Sequence, residues 1–371
     1  MIKVGVTGSN GFIGWHLCQT IRLYPDKFKL IEFQREWFNE TKKLDIFVSN
    51  CDVLIHLAGL NRHDNENAIF NINVGLAEKF IESFNRTGFK GHVLFSSSIQ
   101  EDRNNTFGKS KKLAKEMFYS WAIEAGANFT GLIIPNVFGA FGKPFYNSVV
   151  STFCHQLVNN QSPKIENDAT LNLIYIDDLV KKILDLINTE TNDKVEIGYT
   201  DTYKVSELLE LLIKFKDKYF ENGQIPNFNN QFEINLFNTF RSYFNLNTHF
   251  PIKYKNNIDE RGNFVEIVRL ETGGQVSFST TQNEITRGNH FHTRKIERFS
   301  VIKGKALIQL RKIGTTQIFD YYLSGDEPAY VDMPIWYTHN IKNIGEEELY
   351  TIFWINEFYN SNDSDTYFEI V

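Results

Sequence analysis

The sequence predicts an α/β, doubly wound parallel sheet followed by an all-β antiparallel region. Three observations predict it. A short apolar strand at residues 2–6 runs into Thr7-Gly8-Ser9-Asn10-Gly11-Phe12-Ile13-Gly14 and then a helix-like stretch through Leu17 and Ile21. Apolar strand-like runs then alternate with amphipathic stretches, the pattern of βαβ units. After Pro251 the pattern switches to short alternating runs, such as 264–268, 275–278 and 306–310, set between Gly or Asn turns.

Taken in order, strand, Gly-x-x-Gly-x-x-Gly and helix is what a pyrophosphate requires. Gly8, Gly11 and Gly14 let backbone N–H groups approach the phosphates, with Phe12 and Ile13 opening a helix whose dipole favours negative charge. The second strand, 29–33, ends at Gln34-Arg35. An acid there would bind a ribose 2′-hydroxyl, whereas Arg35 suits a 2′-phosphate and so points to NADP(H). The next buried strand ends in His56-Leu57-Ala58-Gly59, and its Gly permits close approach. Asn73 is expected to open an amphipathic helix, and 93–98 is a strand ending in three serines. Residues 149–154 read as a helix and 171–176 as a strand. Asp177-Asp178 are expected to cap a helix over 179–187. Residues 205–219 form another amphipathic helix. The stretch 221–248 carries too many phenylalanines for a disordered linker, so it reads as a packed connector. The expected domains are 1–248 and 249–371.

Bulk numbers narrow the function. A chain of 371 residues suits two domains, and 42% hydrophobic residues can fill both cores. The net charge of −6 gives no electrostatic case for nucleic acid or an anionic membrane. Cys18, Cys51 and Cys154 are far apart and read as reduced thiols. The chain starts straight into a strand and has no apolar run near membrane length. A soluble, cytoplasmic protein is expected.

The second half carries a metal-capable pattern. In Arg287-Gly288-Asn289-His290-Phe291-His292 two histidines one residue apart point to the same face of a strand. Glu297 can lie beside them if the chain hairpins, and His339 supplies a fourth ligand from another strand. Three imidazoles and a carboxylate suit Zn, Fe, Ni, Co or Mn.

These motifs resemble known families. His290-x-His292-x4-Glu297, Gly304, Pro334, His339 and Asn343 are similar to the two motifs of the cupins, except that Trp336 stands where that family has Gly. Gly8/Gly11/Gly14, the 56–59 and 96–98 runs, Pro135-Asn136-Val137 and Tyr175-Ile176-Asp177-Asp178 resemble the extended short-chain dehydrogenase/reductases, which have a Rossmann-like fold. That resemblance implies that Ser98 bonds a substrate oxygen and that Pro135, Asn136 and Val137 lie near a nicotinamide. It also implies that Asn147 and Ser148 begin a segment covering a nucleotide sugar. The family's Tyr-x-x-x-Lys pair is broken here: Lys111 is present, but the Tyr position is Phe107. A phenyl ring cannot protonate an alkoxide. Phe107 is then a substituted Tyr, the mark of a lost activity, or a sign that Ser98 or a water on Lys111 supplies the proton.

Asp259-Glu260-Arg261-Gly262 with Arg287-Gly288-x-His290 resembles the nucleotide-diphospho-4-keto-sugar 3,5-epimerases, barrels in which this His strand carries the base. Arg261 and Arg287 would then contact substrate, with Tyr337 and Lys295 as acid/base candidates. If a metal takes all four ligands, His290 cannot also be the base. Along its whole length the chain resembles the CapF family of capsular polysaccharide synthesis enzymes. The resemblance implies C3 epimerisation of a UDP-4-keto-6-deoxy-N-acetylhexosamine, NADPH-dependent reduction at C4, zinc and a homodimer. Two other readings stand beside it: an epimerase whose first domain only binds, and an NADP(H)-binding sensor or scaffold.

Overall fold

Residues 1–189, 192–260 and 262–371 are described by the computed structural model, so Arg261 lies outside the described residues. The first compact unit comprises 1–149 and 168–205. Its strands β1 (Ile2–Thr7), β2 (Phe28–Ile31), β3 (Val53–His56), β4 (His92–Ser98), β5 (Asn128–Ile134) and β8 (Asn192–Glu196) form one parallel sheet in the order β2-β1-β3-β4-β5-β8. Strand order reverses at β1. The helices group accordingly: α1 (Phe12–Arg22) packs with β2 and with the helix at Ile176–Leu186, whereas α3 (Glu66–Thr87) packs with α4 (Thr106–Ala125). The fold is Rossmann-like and doubly wound, as expected, and its ligand crevice belongs at the carboxyl ends of β1 and β3.

The face under α2 (Thr41–Ser49), α3 and α4 is packed with aromatic rings, among them Phe47, Phe80, Phe84, Phe118 and Trp121, all nearly solvent-free. Burying such rings contributes about 1.5–3 kcal/mol each. A smaller sheet joins β6 (Asn136–Phe138), β7 (Thr170–Tyr175) and β9 (Asp201–Lys204) beside α6 (Ile176–Leu186).

Two helix starts differ from expectation. Asn73 does not open α3. The helix begins a full two turns earlier, where the Asn65 side chain accepts from Asn67 N–H, and Asn73 is buried in its interior. Asp177 and Asp178 lie in the first turn of α6, whose cap position is Tyr175 without a side-chain bond. There they complement the helix dipole rather than cap it.

The second unit comprises 150–167 and 206–371. Residues 150–167 and 206–248, expected from sequence in the first domain, fall within this unit. Its helical part is α5 (Val149–Val158), α7 (Val205–Phe215), a π-turn (Lys216–Phe220), α8 (Gln231–Arg241) and the short α9 (Leu246–His249). The phenylalanine-rich connector is packed: Phe232, Phe237, Phe240 and Phe244 are buried.

Two five-stranded antiparallel sheets form the cupin-like barrel. One is β10 (Ile252–Lys253), β18 (Ala329–Met333), β15 (Glu297–Lys303), β20 (Leu349–Ile355) and β13 (Gln275–Thr281), in that spatial order. The other is β17 (Ile318–Ser324), β16 (Lys305–Lys312), β19 (Tyr337–Asn343), β14 (Thr286–Phe291) and β21 (Tyr367–Phe368). A separate ribbon pairs β11 (Asn256–Asp259) with β12 (Gly262–Val265).

A buried ion pair ties the helical part to the first of these sheets. Arg298 on β15 donates two bonds to Asp332 on β18, at 2.8 and 2.9 Å, and Tyr219 of the π-turn donates to the same carboxylate. Among the described residues no helix is long and apolar enough to cross a membrane.

Candidate active site

In the first unit the glycine loop closes tightly at the end of β1. Gly8 has φ of +73°, and Gly11 N–H donates to its carbonyl at 2.9 Å. A side chain at position 14 would put its Cβ 2.1 Å from the Gly8 carbonyl oxygen, so only glycine lets α1 approach the strand. Gly11 caps α1 without any side-chain hydrogen bond, leaving the first-turn N–H groups to an anion. Across the crevice, the Asn73 side chain clamps Leu60 by accepting from its N–H at 2.7 Å and donating to its carbonyl at 2.9 Å. It also donates to Ser110 Oγ.

These elements enclose a cavity of about 480 Å3. Its walls include Gly8, Gly11, Phe12, Ile13, Gly14, Leu57, Gly59, Ser98, Phe107, Lys111, Pro135, Asn136, Val137, Asn147 and Ser148, so the cavity brings together nearly all the residues the motifs single out. Ala58 backs the loop: its N atom is the nearest neighbour a side chain at Gly8 would meet. Arg35 stands apart, exposed at the start of a short 3-10 helix (Arg35–Asn39) and not in the cavity wall. Asn10, Asn61, Gln100 and Tyr146 also line the cavity and carry no motif signal of their own, apart from Tyr146 beside Asn147.

Lys111 is buried, and burial pushes its ammonium down to about 8. Its Nζ lies 4.7 Å from the Phe95 ring centre and 3.4 Å from Ser96 Oγ. Ser98 Oγ accepts from Gln100 N–H at 3.2 Å, which leaves its hydroxyl proton to be donated. Phe107 occupies the first turn of α4 and presents a ring without a transferable proton.

In the barrel the four predicted ligands converge. His290, His292, Glu297 and His339 place one ligand atom each within 4.8 Å of all the others. The route differs from a hairpin, because β14 and β15 belong to opposite sheets and the cluster forms across the barrel.

A β-bulge sets the faces. Arg287 pairs with Ile341 and Gly288 with Asn340, and then, with Asn289 skipped, His290 pairs with His339. Asn289 at φ +58° and Gly288 at φ +95° accommodate the bulge. It places Arg287 and His290 on the same face as His339, which explains an Arg-Gly-x-His sequence. The Arg287 guanidinium itself bonds Thr281 Oγ1 and the Thr280 carbonyl.

Each inner imidazole is oriented by a backbone carbonyl. His292 Nδ1 donates to Asp365 O at 2.5 Å and His339 Nδ1 to Tyr337 O at 3.3 Å. That turns both Nε2 atoms toward Glu297 Oε2, at 3.0 and 3.4 Å. His339 Nε2 is fully buried and makes no hydrogen bond. An orphaned imidazole nitrogen facing a carboxylate and two more imidazoles fits a divalent cation. Burial, with His339 and His292 beside it, pushes His290 down to about 4, so it is a neutral donor. Burial opposes the Glu297 charge, yet His292 and His339 hold its carboxyl well below the usual range. Tyr337 and Lys295 are near in sequence but not among the four. Burial pushes Tyr337 up to about 12, and Lys295 Nζ lies 6.0 Å from the Tyr359 ring centre.

Residues 4–198 match the NAD dependent epimerase/dehydratase family, and residues 257–367 match a polysaccharide biosynthesis C-terminal domain. A UDP-2-acetamido-2,6-beta-L-arabino-hexul-4-ose reductase from Pseudomonas aeruginosa is 31% identical over 369 residues, covering 99% of this chain and 98% of that protein. A spore coat polysaccharide biosynthesis protein from Bacillus subtilis, SpsL, is 28% identical over 119 residues, 29% of this chain and 78% of that one. Among solved structures, the capsular polysaccharide assembling protein CapF from Staphylococcus aureus aligns over 100% of both chains at 32% identity, with a TM-score of 0.64. With a glycine-loop crevice, a barrel that clusters three histidines and a glutamate, and full-length similarity of this kind, the chain belongs to the NAD dependent epimerase/dehydratase family, in the CapF-type form that adds a cupin-like barrel.

Proposed function

We propose that this chain is a two-site nucleotide-sugar enzyme of capsule or surface polysaccharide precursor synthesis, in the UDP-N-acetyl-L-fucosamine pathway. The barrel epimerises C3 of a UDP-4-keto-6-deoxy-N-acetylhexosamine, and the first unit binds NADP(H) and acts at the C4 ketone. The observation that carries this reading is the convergence of His290, His292, Glu297 and His339 with Arg287 on the same face of the barrel. The name of the P. aeruginosa relative, a 4-ulose reductase, supports the substrate class.

A C–H beside a ketone becomes removable only when the enolate oxygen is stabilised and a proton donor stands ready. A bound zinc or other divalent ion, held by the four ligands, supplies that electrophile. Tyr337 stays protonated through the neutral range and lies two residues from His339 on the same strand, which makes it the candidate acid. Lys295, between His292 and Glu297, is the candidate partner base. Arg287 would hold the substrate, and Arg261 would join it. With all four ligands on the ion, His290 is a ligand and not the base.

In the first unit bound NADPH supplies a hydride. The glycine loop would hold its pyrophosphate, Arg35 its 2′-phosphate, and Pro135, Asn136 and Val137 its nicotinamide. Ser98 would donate to the C4 oxygen, with Asn147 and Ser148 on the nucleotide sugar. The product alkoxide still needs a proton, and Phe107 has none, so reduction is slow. Phe107 also favours a second reading in which only the epimerase works and the first unit merely binds. The assembly is a cytoplasmic homodimer without nucleic-acid or membrane partners.

The test uses metal-loaded protein and the UDP-4-keto-6-deoxy sugar without NADPH, followed by borohydride trapping and sugar analysis. Sugars inverted at C3 are expected. Sugars retained at C3, together with NADP(H) binding, would leave the sensor reading instead.

A further inference from the structure

We propose that residues 364–371 are a strap that preorganises the barrel's metal cluster, with Asp365 as the positioning residue for His292. This rests on the metal reading above and adds residues outside the ligand set.

The strap reaches three of the four ligands. Strand β21 lies along β14, with Phe368 opposite His290 and Tyr367 opposite Phe291. Glu369 N–H donates to Asn289 O at 3.0 Å, on the bulge that turns His290 inward. Thr338, next to His339, donates its hydroxyl to the Glu369 carbonyl. At the other end Asp365 is buried, 4% exposed. Its carbonyl accepts a hydrogen bond from His292 Nδ1–H, which commits that ring to presenting Nε2. Its carboxylate accepts from the backbone N–H groups of Thr293, Arg294 and Lys295 at 3.0–3.2 Å, and from Thr293 Oγ1 at 2.7 Å.

One residue therefore fixes both the His292 ring and the turn that leads to Glu297. Asp365 does so at φ +41°, a backbone conformation that persists only where surroundings over-determine it. Four donors on one carboxylate are such surroundings. A carbonyl or carboxylate behind a ligating imidazole orients it and raises its basicity, and losing such a partner loosens metal by about 10- to 100-fold.

The experiment titrates cobalt(II) into metal-free full-length protein under chelator competition and records the visible d–d spectrum. Variants are Asp365→Ala, Asp365→Asn and Glu369→Ala. Apo thermal melts of each report folding separately. Asp365→Ala keeps the backbone carbonyl on His292 Nδ1 but loses the carboxylate that anchors it to the 293–295 turn, so the expected result is stoichiometric cobalt in the parent and, in this variant, affinity lower by about 10-fold with a changed spectrum. Asp365→Asn keeps one acceptor oxygen and recovers part of that loss. Glu369→Ala loses only a half-exposed ion pair to Arg311 and binds like the parent. If Asp365→Ala fails to fold, Asp365→Asn carries the decision. Parent-like affinity and spectrum in a folded Asp365 variant would overturn the strap while leaving the metal site standing. A parent that binds no cobalt would overturn the metal reading itself, and the strap with it.

Discussion

The Lys111 ammonium lies 5.9 Å from the centre of the Phe107 ring, one helical turn before it in α4. Residues four apart share a helix face, so a phenol at position 107 would stand over that ammonium and feel its charge. The lysine, the serine at 98 and the cavity are present around a missing proton. Phe107→Tyr is therefore expected to raise NADPH-dependent reduction of the 4-keto sugar by about 100- to 10,000-fold, the usual worth of a general acid. Single-turnover NADPH oxidation measures it, and an unchanged rate would mean that the absent hydroxyl is not what limits this site.

Lys111 also costs stability. Its ammonium is charged in the unfolded chain below pH 10.5, while in the fold burial lowers it to about 8. Below pH 8 both states carry the proton and the full desolvation cost is paid. As pH rises from about 8 toward 10.5 the folded state sheds its proton first, and the penalty fades. Lys111→Met should stabilise the protein by roughly 2–4 kcal/mol at pH 7, with the gain shrinking toward pH 10.5. Denaturant titrations at the two pH values read this directly.

The Arg298–Asp332 pair is nearly solvent-free at 2% and 1% side-chain exposure, and the guanidinium also stacks 3.7 Å above the Tyr330 ring. Removing only the acid strands a buried cation. Asp332→Ala should cost about 3–5 kcal/mol, whereas Arg298→Met with Asp332→Leu should cost less than the single change. Additive losses in a double-mutant cycle would rule out coupling between the two.

Trp336 sits at φ +62°, where the cupin motif carries glycine, and its ring stacks 5.7 Å from Phe291. Its backbone N–H donates to His292 O at 2.7 Å. Backbone strain there costs about 1–3 kcal/mol, and deleting a buried Trp costs about 3–5 kcal/mol. The ring wins. Trp336→Gly should be destabilising by roughly 2 kcal/mol, and a gain in the denaturation midpoint would show that strain dominates.

Much of this was legible because the signals are local. A strand, three glycines and a helix lie within about twenty residues, and the period-2 runs after Pro251 announce antiparallel strands. The clustering of His290, His292 and His339 was legible by residue type and spacing, since imidazoles on alternate strand positions share a face. What the sequence did not carry is long-range pairing. Asp365 is 73 residues from His292 along the chain, and nothing near either residue signals the other. Asn73 read as a helix start because polar residues favour caps, yet tertiary contacts with Leu60 and Ser110 hold it mid-helix. Glu297 reaches the cluster across two sheets, which no hairpin rule anticipates.

The most direct test of the account is proton NMR in D2O of the UDP-4-keto-6-deoxy-N-acetylhexosamine with the metal-loaded protein and NADPH. The account predicts rapid loss of the C3 proton signal, with a C4 carbinol signal that is slow to appear and accelerates in Phe107→Tyr. Retention of the C3 proton throughout would contradict an epimerase in the barrel.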